Sequence, residues 1–399
     1  MNNKDISFSP EVGLEHAVNL LRKVFLEQDE LPDTCPDLGI GELDTLNLLA
    51  PHVLGRAAHL DRPDVLAHMD PPTPWITWAT TLWNASLNQN LLHPSTAPFA
   101  IEAEKKVIEW LTPFFGMNGG HMCSGSTIAN LTALWAARDT KGIKRVIASE
   151  AAHLSIKKSA KILGLSYEEI ATNTHGQLDP EQLEDISDAC LVLTAGTTAT
   201  GEIDPLDLAG QAKWTHVDAA WAGPLRLSST HAHLLNNINK ADSVAISAHK
   251  WLFQPKESAL IMFHDSEQAN SAISYGGGYL ASPNIGVQGS RGATAIPLLA
   301  TMIAWGKNGI VERIDKSMLM ANKLAIELSK DDNIRLWAKP KTGVTVFRPL
   351  TCSTEEFHRL LPEGMLSTCT LQNKSWLRSV AANPLADIDK IISNIRAIC

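Results

Sequence analysis

Lys250, in the run SAHKWLFQPKESALIMF, follows an apolar stretch and is flanked by His249 and Trp251 rather than by other surface charges. A lysine there is a candidate nucleophile, although a lysine taken alone is more often a solvated surface group. Asp218 closes the apolar run of WTHVDAAWAGP, where a carboxylate is costly unless a cation or a proton-bearing partner meets it. Two further groups stand in similar places. Ser126 and Thr127, in HMCSGSTIANLTALWAAR, open a helical pattern whose first backbone N–H groups and hydroxyls can bind a phosphate, or merely cap the helix. His153, in SEAAHLSIKKSAKILGL, comes after the apolar run RVIAS and before another helical pattern. If the partner of Asp218 is the pyridine nitrogen of pyridoxal phosphate (PLP), Asp218 keeps that ring protonated while Lys250 holds the cofactor covalently, and one chemistry explains both residues.

These residues need a scaffold that brings distant segments to one place. Five short apolar runs, RVIAS (145–149), ACLVLTA (189–195), WTHVDAA (214–220), SVAIS (243–247) and ALIMF (259–263), alternate with helical stretches. This pattern predicts an α/β fold with a mainly parallel sheet covered by helices, which places its ligands at the C-terminal ends of the strands. A helix over 11–28 is predicted from the spacing of Val12, Leu14, Val18, Leu21, Val24 and Leu26, with an apolar stripe that must dock on something. From Glu30 to Thr77 prolines at 32, 36, 51, 63, 71, 72 and 74 interrupt every long element, so this part reads as short helices and an extended arm, not a self-contained domain. After Asp315 a long helical stretch (317–331) leads to RLWAK, TGVTVFRP and WLRSVAA as strands and DIDKIISNIRAI as a closing helix. Three parts result: an N-terminal helix and dimer-wrapping arm (1–75), a large PLP-binding domain (76–315), and a small α+β C-terminal domain (316–399).

Composition narrows the partners. The 399 residues are 44% apolar and 19% charged, with a net charge of −9 and no basic block, so an electrostatic grip on nucleic acid has no support. The longest apolar stretch, Ala295 to Trp305, contains a proline and is too short to span a membrane. Six scattered cysteines suit neither a disulfide framework nor a zinc site, and no metal site is expected. A cytoplasmic location is expected from an N-terminus without an export pattern.

From Arg62 to Ile398 the chain resembles the group II PLP-dependent decarboxylases of fold type I, which include glutamate, cysteine-sulfinate, aromatic amino acid and 2,4-diaminobutyrate decarboxylases. The runs that carry this resemblance are RPDVLAHMDPPTP, LNQNLLHPSTAPFAIE, CSGSTIANLTALWAAR, EAAHLSIKKSAKILGL, TAGTTATGEIDPLD, HVDAAWAGP, ADSVAISAHKWLFQP, GSRGATAIPLLA and LRSVAANP. The resemblance implies Lys250 as the cofactor-linked lysine, Asp218 at the ring nitrogen and His153 stacked on the ring. It further implies Ser126, Thr127, Ser247 and His249 at the phosphate, Thr198 near the phenolic oxygen and Ala220 beneath the ring. Arg378, in WLRSVAANP, would hold the substrate α-carboxylate with its planar fork. Trp221 is read as core packing.

Members of this family carry a long mobile loop with a catalytic tyrosine that protonates the α-carbon. Here that region is shortened to SYGGGYLASPNIGVQGSRG, where Tyr275 and Tyr279 are the tyrosines on offer. Tyr279 is taken as the candidate proton donor. The short loop leaves aldehyde formation, transamination or a non-catalytic PLP-binding role as alternatives to decarboxylation. Asn88 and Asn90, in LNQNLL, align with a pocket wall supplied by the neighbouring subunit, which favours a homodimer and a polar or acidic substrate side chain resembling aspartate, glutamate, cysteine sulfinate or 2,4-diaminobutyrate. His68, Met69 and His93 lie near pocket stretches with no assigned role.

Overall fold

Strands buried on both faces read as unbroken apolar runs, and this chain forms its central sheet from such runs. The protein is described here by a computed structural model covering residues 13–25, 29–278, 280 and 282–398. Two compact units result, residues 1–59 and 60–399.

In the first unit, helix α1 spans Leu14–Leu20 and α2 spans Glu42–Val53. The helix expected over 11–28 is therefore shorter, since a tightened turn with Arg22 and Lys23 donating to the carbonyls of Asn19 and Leu20 ends it. Leu14, Val18, Leu21 and Val24 are exposed and Leu20 alone is buried in α1. Val12 and Leu26 lie outside the described residues.

The second unit opens with α3 (Trp75–Leu87) and α4 (Pro98–Leu111). Then come β1 (Gly119–Cys123), α5 (Ser126–Lys141), β2 (Arg145–Ser149), α6 (Leu154–Ile162), β3 (Ser166–Ile170), β4 (Cys190–Thr194), β5 (Trp214–Asp218), β6 (Ser243–Ser247) and β7 (Ala259–Phe263). These strands form one seven-stranded sheet in the order β1-β7-β6-β5-β4-β2-β3, parallel except for β7, which runs against both neighbours. Every residue of β4, β5, β6 and β7 is buried. The five apolar runs coincide with β2, β4, β5, β6 and β7. The edge strands β1 (GGHMC) and β3 (SYEEI) were not foreseen, because each mixes glycine or charge with only partial burial.

Alternation along β5 sends Trp214, His216 and Asp218 to one face, against α5 and α6, and Val217 to the other. The opposite face packs on α4 and on α8 (Ala295–Leu328). Between β7 and α8 in the chain lie α7 (Ser266–Ala272), which packs beside α5, and a two-residue hairpin of β8 (Ser274–Tyr275) with β9 (Asn284–Ile285). Helix α8 breaks at Gly306, whose φ of 61° only a glycine adopts cheaply. Its second half supplies the helical stretch expected from 317, and the division drawn at 315/316 falls inside that half. An antiparallel sheet in the order β10-β11-β13-β12 follows, from β10 (Ile334–Leu336), β11 (Val344–Pro349), β12 (Ser367–Leu371) and β13 (Lys374–Val380). Helices α9 (Thr354–Leu360) and α10 (Ile388–Arg396) complete it. Strand β12 also escaped the sequence, since STCTL is half-exposed along its length.

Among the described residues no helix is long and apolar enough to cross a membrane, and no group of His, Cys, Asp or Glu is arranged to hold a metal.

Candidate active site

The C-terminal ends of β2, β5 and β6 and the N-terminus of α5 meet on one face of the large sheet. Gly125 precedes α5 at φ 145°, where a Cβ would be strained, and a Cβ built there meets nothing within 4 Å. No side chain caps α5, which leaves the N–H groups of its first two residues, the half-buried Ser126 and Thr127, without a side-chain acceptor.

Asp218 ends β5 and is buried. Its Oδ2 accepts from the Asn130 amide at 2.9 Å and its Oδ1 from the Ala220 N–H at 3.1 Å. Asn130 lies one turn inside α5 and also donates to Ser155 Oγ at 2.9 Å. Since both its N–H bonds point to acceptors, its Oδ1 must accept, and His216 Nε2 donates to it at 3.0 Å. His216 Nδ1 then accepts from Ser243 Oγ at 2.9 Å, while Ser243 accepts from Trp214 Nε1 at 3.0 Å. At the other end Ser155 Oγ donates to His153 Nδ1 at 2.8 Å, and the Ser155 N–H donates to the same nitrogen, which makes His153 the N-cap of α6. The donors from Trp214 to Ser155 each meet an acceptor, and both histidines come out neutral with the proton on Nε2.

Burial also holds both imidazoles below their ordinary range: His216 to about 4, and His153 downward through burial, with Asp218 opposing and Lys250 reinforcing. Lys250 follows β6 in a turn where Trp251, fully buried, packs against Trp221 at 4.0 Å between ring centroids, the rings tilted by 33°. Trp221 Nε1 donates to the Thr342 carbonyl at 2.7 Å, so both indoles are core wedges, as expected for Trp221. With Trp251 anchored inward, the half-buried Lys250 is left beside the site. Burial lowers its pKa, Asp218 and Asp70 oppose, and Lys256 and Arg378 reinforce the lowering. An amine with a depressed pKa is the more nucleophilic one at neutral pH.

Ser247 Oγ and His249 Nδ1 are buried and have no hydrogen-bond partner among the described residues. Burial, followed by Lys256 and Lys250, brings His249 to about 4, so it too is neutral. Arg378 projects from β13, largely buried. Its Nε lacks a partner among the described residues, and its Nη2 makes one long bond, 3.4 Å to the Ala67 carbonyl. A buried guanidinium this poorly satisfied has N–H donors left to offer a carboxylate.

Ala220, buried two residues after Asp218, is held to it by its N–H; the other foreseen residues stand further off. Thr198 is exposed on the turn after β4, while its neighbour Thr197 is the buried one, bonded to Thr200 at 2.8 Å. Asn88 is exposed at the C-terminus of α3 with φ 44°. Asn90 donates to Ser290 Oγ at 3.2 Å and accepts from the Leu92 N–H. Neither asparagine bonds to the cluster around Lys250. His68 is exposed and Met69 belongs to the core. Tyr279 lies outside the described residues. Tyr275 stacks on Trp135 at 5.9 Å, nine residues and so about 13 Å along α5 from Ser126. The segment after the short hairpin is pinned onto the site's rim: Gln288 accepts from the Ser124 N–H at 2.9 Å, and Arg291 pairs with buried Glu104.

Asn130, Ser155, His216, Asp70 and Lys256 were not foreseen. His216 was legible, since alternation puts it on the face of Asp218, and Asn130 shows as a polar residue within an apolar helix stripe. The other three carry no local signal.

Two buried neutral histidines make stability pH-dependent. His121, near Arg291, is held at about 3 and His216 at about 4, burial being the chief cause for each. Their folded pKa values lie below the unfolded value, so the stability they allow is present above pH 6.5 and lost as pH falls. Between pH 6.5 and 5 the pair is expected to cost about 3 kcal/mol of unfolding free energy. Urea titrations at the two pH values read this loss together with that of His249, which burial also holds at about 4, and His216→Gln should remove its own share, about 1.5 kcal/mol; equal pH slopes in variant and wild type would refute the assignment.

Residues 43–349 match the family model described as the pyridoxal-dependent decarboxylase conserved domain. Arg378 lies beyond that match, and the cluster from Ser126 to Lys250 lies within it. The aspartate 1-decarboxylase of Aliivibrio fischeri is 28% identical over 385 residues, covering 81% of this chain and 70% of that protein. The L-2,4-diaminobutyrate decarboxylase of Rhizobium meliloti is 29% identical over 360 residues, covering 82% and 72%. Among solved structures, mouse CSAD superposes with a TM-score of 0.85 at 22% identity, covering 98% of this chain and 99% of the other. Its fold is therefore that of the PLP-dependent fold type I enzymes, with a large mainly parallel sheet and a small α+β part. By its sequence match and its fold, this chain belongs to the pyridoxal-dependent decarboxylase family, PLP-dependent carboxy-lyases that act on amino acids.

Proposed function

We propose that this enzyme decarboxylates an L-amino acid with a polar or acidic side chain, resembling aspartate, glutamate, cysteine sulfinate or 2,4-diaminobutyrate, to its amine and carbon dioxide, using Lys250, Asp218, His153 and Arg378. The observation that carries the reading is the poorly satisfied guanidinium of Arg378, bonded through Nη2 to the Ala67 carbonyl in the segment whose Asp70 is ion-paired with Lys256, in the turn that follows Lys250. The substrate class draws on relatives that decarboxylate aspartate, cysteine sulfinate and 2,4-diaminobutyrate.

The residues present fit PLP. Orphaned Ser247 Oγ and His249 Nδ1, together with the uncapped start of α5 at Ser126 and Thr127, offer donors to a phosphate. Asp218 offers a buried carboxylate to the ring nitrogen, held in place by Asn130. Lys250 offers the amine, and His153 a neutral ring whose orientation Ser155 fixes; Ala220 and Thr198 complete the proposed set. When bound, PLP draws electrons from the bond that breaks at the α-carbon. Arg378 holds the α-carboxylate in one orientation and thereby selects that bond. His153, kept neutral with Ser155 on its Nδ1, would help to exclude water beside the bound cofactor. Tyr279 is the proposed donor of the proton to the α-carbon, and Asn88 and Asn90 are proposed to reach a partner's pocket.

Exposed Trp75, Trp78, Trp83, Leu87 on α3 and neighbouring Phe99 favour a homodimer, because so much apolar surface is costly in water. A cytoplasmic location fits the reduced, scattered cysteines.

The test is one incubation of PLP-loaded protein with the common L-amino acids plus cysteine sulfinate and 2,4-diaminobutyrate, with mass spectrometry of all products. The expected result is one amine, lighter than its parent by carbon dioxide. A second reading, aldehyde formation, is favoured by the distance of Tyr275 from the start of α5; aldehyde with hydrogen peroxide would establish it instead.

A further inference from the structure

Resting on the decarboxylase reading, a further residue pair bears on which substrate the site takes. Asp70 and Lys256 form an ion pair. Asp70 sits three residues after Ala67, whose carbonyl accepts from Arg378 Nη2 and, at 2.7 Å, from Ser367 Oγ. The Ala67 N–H donates to the Gly364 carbonyl at 3.1 Å and Met69 is buried in the core. This stretch is therefore fixed against the small sheet as it passes Arg378. Lys256 lies in the turn after Lys250, closed by the His249 N–H donating to Ser258 at 3.1 Å. The pair thus spans the gap between the segment that touches Arg378 and the turn that carries Lys250. Asp70 acts electrostatically on Lys250, His249 and Arg378 alike.

The two partners are not equally free. Asp70 has a short side chain, precedes Pro71 and Pro72, and is 37% exposed, whereas Lys256 is 61% exposed on a long flexible stem. An exposed lysine leaves such a pair for water at little cost. The carboxylate is the permanent feature, and the ammonium is replaceable.

We propose that Asp70 anchors the substrate side chain, that the substrate is an L-amino acid with a distal ammonium group, and that this ammonium replaces Lys256 as the partner of Asp70. With Arg378 on the α-carboxylate, the two ends of the substrate then meet opposite charges. A distal carboxylate would instead face Asp70, and like charges there repel.

The holoenzyme is assayed with 2,4-diaminobutyrate, ornithine, norvaline as the neutral comparator, aspartate and glutamate. Carbon dioxide release gives kcat/KM, and the substrate-induced change in cofactor absorbance gives Kd independently of turnover. Wild type should prefer 2,4-diaminobutyrate to norvaline, and Asp70→Asn should lower that ratio about 30-fold, the scale of a lost charge-assisted contact. Asp70→Glu should recover part of the ratio, and Lys256→Met should tighten binding of the diamino acid a few-fold. An unmoved ratio in Asp70→Asn overturns the anchor, as does a preference for aspartate that Lys256→Met abolishes. Absence of carbon dioxide from every amino acid, with a diamino-selective Kd that Asp70→Asn removes, sinks the decarboxylase reading and supports the anchor.

Discussion

Lys250→Ala should lower turnover at least about 10⁴-fold, the scale on which removing a covalent participant acts. The expected loss follows from how the residue is made. An ordinary exposed lysine is protonated at neutral pH and is no nucleophile. Lys250 differs because burial disfavours its charged form, with Lys256 and Arg378 adding like-charge pressure, against the opposing pull of Asp218 and Asp70. The neighbouring Trp251 is locked against Trp221, so the backbone at 250 has little freedom to compensate. The variant should also lose the visible absorbance of a covalently held cofactor, while its melting temperature stays near that of the wild type without added PLP. Turnover within tenfold of wild type would remove Lys250 from the proposed role.

The second large effect is expected at Asp218, where Asn preserves shape and removes charge. Each carboxylate oxygen is already engaged by one donor, from Asn130 or from Ala220, and Asn130 is itself oriented by His216 and Ser155. An amide at this position cannot hold a neighbouring ring nitrogen in its protonated form, so the electron demand on the breaking bond falls. A decrease in kcat of about 10² to 10³ is expected, in line with removal of one preorganised charge from an active site. KM should move far less, because the carboxylate contact proposed for Arg378 lies elsewhere. A kcat within threefold of wild type, with cofactor bound, would exclude the ring-nitrogen assignment.

Much of the large sheet was legible because its strands are buried on both faces and must be apolar throughout. RVIAS, SVAIS and ALIMF are strands from end to end. The edge strands and β12 were not legible, because half-exposed backbone accepts Glu, Gly and Thr as readily as Val. The N-terminal helix was overread for a related reason: an apolar stripe at 11–28 resembles a docking face, yet Leu14, Val18 and Leu21 are exposed in the chain as described.

The sequence by itself determined the residue types and their place at the ends of strands: a lysine after β6, an aspartate closing β5, a histidine before α6 and small hydroxyl residues opening α5. Local pattern suffices for this, because a polar residue at the end of an apolar run is costly wherever the chain folds. Only the tertiary structure decided the partnerships. Asn130 is 88 residues from Asp218, Asp70 is 186 residues from Lys256, and Arg378 is 311 residues from the Ala67 carbonyl. No local periodicity records such pairs, since they depend on how α5 lies across the sheet and how the small sheet is packed beside it. The physical reason is that a hydrogen bond fixes a distance in space and leaves no trace in the spacing along the chain.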